Sequence, residues 1–122
     1  MSNLQELWFR ATAVLAWAIS AALLVAPSQV NDFFFNKTEM FFVQVLGASL
    51  AGVGYVLWVA AEKQKFQQII RRMSIIALLA TVIITARSWQ MFASELAAYV
   101  MFLEHFILLA GFTYMEYQEH EA

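Results

Sequence analysis

The chain has 122 residues, a formal net charge of −2 and no cysteine. With 62% hydrophobic and 13% charged residues, it is more apolar than an average soluble domain, which runs at about 45–50% and about 25%. A small soluble domain cannot hide that much apolar surface, the charge balance argues against a nucleic-acid partner, and without cysteine there are no disulfides, thiolate metal sites or thiol nucleophiles.

Mean hydropathy of +0.66 makes lipid the expected solvent, and a spanning helix needs about 20 mostly apolar residues. The first such window covers about 7–27. It is longer than a signal-peptide core of about 7–15 residues, and only Arg10 supplies a base near its start, so it reads as a retained membrane helix. Glu6 and Arg10 stand four apart with the acid first, the favourable order for a helical pair at the membrane edge. Ala11, Ala18 and Ala22 offer a stripe of small residues.

After Pro27 comes a segment, 28–40, assigned to the outer interface. Ser28 is the expected N-cap, and Val30, Phe33, Phe34 and Phe35 give an apolar side to a short helix or an ordered loop. Asn36-Lys37-Thr38 matches a glycosylation acceptor, a pattern short enough to arise by chance.

The second window, about 41–61, carries Gln44 and two overlapping small-xxx-small pairs formed by Gly47, Ala48, Ala51 and Gly52. Helices in lipid associate through such small residues. This face is therefore expected to meet the first span or a second copy of the chain.

Segment 62–72 reads as a loop holding Lys63, Lys65, Arg71 and Arg72, whereas the first connection holds only Lys37 and the third none. The positive-inside rule puts that loop, and with it both termini, in the cytoplasm. Trp8, Trp58, Tyr114 and Tyr117 then lie at the inner aromatic belt, with Trp89 and Tyr99 toward the outer one.

The third window, about 73–93, contains Arg87 and Gln90; the fourth, about 96–116, contains Glu104 and His105 within "MFLEHFILLAGF". Ionisable residues inside a membrane are costly and mark candidate sites. A hairpin folding near Ser94–Glu95 brings together positions whose numbers sum to about 190, with Arg87 about 10 Å and Glu104 about 14 Å from the turn. The expectation is an Arg87–Glu104 ion pair, with Gln44 and Gln90 completing the polar network and Ser88, Thr85 and Tyr99 as lesser members. Adjacent residues on a helix point about 100° apart. Accordingly one of Glu104 and His105 is expected to face the bundle and the other a neighbouring helix or subunit.

These readings describe an all-α integral membrane protein: one domain, a compact bundle of four transmembrane helices with both ends inside, in a bacterial inner membrane. No G-x-S-x-G, H-E-x-x-H or phosphate-binding glycine loop occurs, so no enzyme, catalytic residue or metal site is expected. In length and helix count the chain is similar to the small multidrug-resistance transporters. Their buried carboxylate lies in the first span, where this chain has only Glu6 at the edge, and no family follows from the likeness.

The first functional reading is a non-enzymatic accessory subunit, docking a larger membrane complex or assembling with itself. The second is a small oligomeric transporter or channel using Arg87, Glu104 and His105. A minor third is a haem- or quinone-associated redox subunit through His105, which needs a second histidine from another chain because His120 lies in the tail. The direction in which His105 faces separates the first two: a lipid-facing ring implies a partner, an inward one a path.

Overall fold

The computed structural model describes residues 2–35 and 40–121. The Asn36-Lys37-Thr38 triplet lies outside them. Among the described residues five α-helices follow in order: α1 (Ser2–Val25), α2 (Pro27–Phe34), α3 (Met40–Glu62), α4 (Gln64–Arg87) and α5 (Glu95–Glu121), with one 3₁₀ turn (Trp89–Met91) between α4 and α5. Stretches Asn3–Val25, Phe41–Glu62, Gln64–Arg87 and Glu95–Glu119 are long and apolar enough to cross a membrane. Helices are what such runs must form in lipid, where every backbone group has to pair within its own segment.

Two boundaries differ from the sequence reading. The stretch 64–72 is helix, and only Lys63, with an extended backbone, separates α3 from α4. Gln, Lys, Arg and Ile are adequate helix formers, and this segment is held by packing: Gln67 and Arg71 are buried, and Gln67 Nε2 donates to Ala61 O at 3.4 Å across the corner. In α2 the N-cap is Ala26 rather than Ser28, with Pro27 in the first turn. Proline suits that position because its φ is preset and its missing N–H would have had no partner there.

The most extensive interface joins α1 and α3, and the next joins α4 and α5. Along α3 the seam runs through Val43, Gly47, Gly54, Leu57 and Ala61, all buried, and along α1 through Phe9, Ala13, Ala16, Ser20 and Leu23. The alternating spacing of three and four is that of an antiparallel coiled-coil seam. Ser20 Oγ donates to Gly47 O at 2.6 Å, and Trp17 Nε1 donates to Ala51 O at 3.1 Å, so side chains on α1 bond directly to the backbone of α3.

The small-residue stripe is therefore only half as expected. Gly47 is buried in the seam, where an added Cβ would lie 2.9 Å from Leu23 Cβ; Ala51 borders it. Ala48 and Gly52 point outward, and nothing lies within 4 Å of a Cβ placed at Gly52. On α1, Ala11, Ala18 and Ala22 are exposed, and Ala13, Ala16 and Ser20 form the close-packed face instead. Two glycines outside the expected stripe also receive neighbours: Gly54 packs under the Trp17 indole and Gly111 under the Trp8 ring.

The two antiparallel pairs are joined at their ends. Near Lys63, Phe9 and Ala13 of α1 meet Leu57, Ala60 and Ala61 of α3 and Phe112 and Met115 of α5. At the other end, Phe92, Ala97 and Ala98 pack with Phe34 and Phe35. There Ala93 N–H donates to Phe34 O at 2.8 Å, and the Phe35 and Phe92 rings stack at 5.3 Å. Between these two apolar plugs the middle of the bundle is not filled.

Candidate functional site

The unfilled middle is a cavity of about 250 Å³ to which α1, α3, α4 and α5 all contribute. Its walls are apolar, built from residues such as Leu15, Ile19, Leu50, Leu57 and Phe112; its polar lining is Thr12, Ser74, Thr81, Glu104 and His105. Ionisable groups on a membrane-length helix and a concave apolar enclosure thus coincide, the combination that marks a candidate binding site.

Both Glu104 and His105 line the cavity, which corrects the expectation that one of them faces away. Their side chains are 26% and 21% exposed, and Glu104 Oε2 lies 3.8 Å from His105 Nδ1. The 100° step between them straddles the cavity: the carboxylate approaches from one side of the inward face of α5 and the imidazole from the other. His105 Nδ1 is also 2.9 Å from Met101 O, one turn back. A carbonyl only accepts, so Nδ1 carries the hydrogen and a neutral ring leaves its lone pair on Nε2.

The expected Arg87–Glu104 pair does not form. Arg87 is the last residue of α4 and is exposed, and among the described residues the titratable side chain beside Glu104 is His105, not an arginine. The cause is helix phase. The inward face of α4 runs through Ser74, Leu78 and Thr81 to buried Thr85, and Arg87 stands about 200° beyond Thr85. Gln44 and Gln90 are exposed as well and take no part in the cavity lining.

A buried charged cluster unforeseen in the sequence reading sits at the Lys63 end. Arg71 is fully buried. Its Nε donates to Glu116 Oε1 at 2.8 Å and its Nη1 to Glu119 Oε2 at 2.8 Å, with a further bond from Nη1 to Gln5 of α1. Arg72 bonds the other oxygen of Glu116 at 3.1 Å, and Gln68 Nε2 reaches Glu119 Oε1 at 3.2 Å. One guanidinium thereby ties three helices together. Arg71 and Glu119 satisfy the same numerical sum that suggested Arg87 and Glu104, so the register was readable and only the choice of partners was wrong. The Glu6–Arg10 pair does form, at 3.0 Å, with the Arg10 guanidinium 4.5 Å over the Trp58 ring.

A hollow of about 380 Å³ beside this cluster is lined by Gln5, Gln64, Lys65, Gln67, Gln68 and Glu119. It is polar and peripheral, without an apolar wall to enclose a ligand. The mid-bundle cavity is the candidate site.

Fold and site together describe a small helical bundle with four membrane-length helices and an acid–imidazole pair in its interior. No protein-family model, curated protein or solved structure matches the chain.

Proposed function

We propose that the chain is a small multi-pass membrane carrier, non-enzymatic, in which Glu104 and His105 bind and release a proton or a protonated solute inside the bundle. The observation that carries this reading is the inward placement of both groups in one cavity shared by four helices. A carboxyl and an imidazole 3.8 Å apart can each take up and give back a proton, whereas a static pair is more stably built from an arginine, which stays charged. The Lys/Arg asymmetry supports an orientation with the Lys63 corner and both termini in the cytoplasm.

The accessory-subunit reading rests on exposed apolar faces such as that of α4, with Ile76 70% exposed, and lipid covers such faces equally well. A redox role at His105 would need a second ligand from another chain.

The test is proton flux into vesicles reconstituted with the purified protein, carrying a trapped pH dye and driven by a potassium diffusion potential. Wild type is expected to conduct protons above protein-free vesicles. Glu104→Gln, which keeps shape but loses the titrating group, is expected to lower the flux at least tenfold, and Glu6→Gln to leave it unchanged. Equal flux in wild type and Glu104→Gln would overturn the reading.

A further inference from the structure

We infer that the cavity is a site for a small apolar primary amine in its protonated form, an assignment that rests on the carrier reading and names its solute class. The argument is the hydrogen-bonding capacity left facing the cavity. His105 Nδ1–H is committed to Met101 O, so Nε2 of the neutral ring offers a lone pair. Thr12 Oγ1 donates to Trp8 O at 2.8 Å and Thr81 Oγ1 to Ala77 O at 2.8 Å, so each hydroxyl has spent its hydrogen and retains only acceptor capacity. An ionised Glu104 is acceptor-only. Groups on α1, α4 and α5 therefore present acceptors to one apolar space, and Ser74 alone among them has a hydrogen free to give.

Such a set matches an ammonium, with three donors and a positive charge, and repels a carboxylate or phosphate. The apolar walls suit a hydrocarbon body. At about 250 Å³ the cavity exceeds the roughly 150 Å³ that encloses a benzene ring, which leaves room for one ring or a short branched chain carrying the amine. Val53 of α3 and Ala77 of α4 line the cavity and are also exposed, so it opens sideways between these helices, toward the acyl region. A neutral amine dissolved there enters without passing through water. On meeting protonated Glu104 it takes the carboxyl proton: the O–H bond breaks, an N–H bond forms, and an ammonium–carboxylate pair remains.

Calorimetric titration of the detergent-purified protein with benzylamine, toluene and benzoate tests this. Benzylamine is expected to bind at least tenfold more tightly than toluene, and benzoate not to bind. Glu104→Gln is expected to lose at least tenfold in benzylamine affinity while toluene binding stays the same, and Glu6→Gln to match wild type. Should Glu104→Gln fail to fold, the wild-type order of the three ligands decides by itself. Toluene binding as well as benzylamine, or benzoate binding at all, overturns the assignment. Absent benzylamine binding with Glu104-dependent proton flux intact, the amine assignment falls and the carrier reading stands; tight benzylamine binding without flux reverses that outcome.

Discussion

Arg71→Ala is expected to lower the stability of the bundle by about 3 kcal/mol, the lower end of the range for breaking a buried ion pair, because Glu119 keeps some contact with solvent. Removing the guanidinium deletes the bonds to Glu116, Glu119 and Gln5 together, while the Arg72–Glu116 pair stays in place. Arg71→Lys should recover only part of the loss, since an ammonium cannot span two carboxylates with a planar fork. The internal comparison is Arg72→Ala. That side chain is 49% exposed, and exposed pairs contribute about 0–1 kcal/mol. Denaturant titration in mild detergent reads all three variants. Arg71→Ala no more damaging than Arg72→Ala would show that the cluster does not hold α1, α4 and α5 together.

Gly47→Leu is expected to destabilise by about 1–3 kcal/mol, the usual cost of forcing extra carbons into a packed seam. The first added carbon already falls 2.9 Å from Leu23 Cβ and 3.3 Å from Ser20 O. Neither atom moves unless α1 shifts, and a shift also breaks the Ser20–Gly47 hydrogen bond. Gly52→Leu, in contrast, places its side chain where nothing lies within 4 Å, and its melting temperature should equal that of wild type. A similar loss in both variants would place Gly52 against a neighbour, as in a contact between copies of the chain.

The contrast between these two glycines shows where sequence reading succeeds and where it stops. Length and hydropathy suffice to locate four helices, because a continuous apolar run of about 20 residues pairs its own backbone groups in lipid only as a helix. The antiparallel register of α4 and α5 was equally legible, since a short connection fixes it. Rotation about each helix axis was not. Gly47 and Gly52 share one short run, but five residues turn a helix by about 500°, which sets them about 140° apart. The same blindness to phase suggested Arg87 for Glu104, although its side chain emerges on the far side of α4. Arg71 was read only as a loop charge because it stood just outside the apolar window, in a stretch that its basic residues made look like a loop. Glu104 and His105 were legible as candidates from the cost that ionisable groups carry in a membrane. That they share a cavity follows only once four helices set its walls.

The inward placement of Glu104 and His105 is the claim on which the functional reading depends. The natural chain contains no cysteine, so single cysteines can be introduced one at a time along α5 and spin-labelled in lipid bilayers, with dissolved oxygen as the collision partner. Labels at Leu103 and Ile107, which are 49% and 57% exposed, should collide freely. Labels at His105, Leu108 and Phe112, which line the cavity, should collide less often, because oxygen reaches them only through the opening between α3 and α4, so that accessibility rises and falls with a helical period. A label at His105 as accessible as its neighbours at Leu103 and Ile107 would contradict the account, because the imidazole would then face lipid or a partner and not the interior of the bundle.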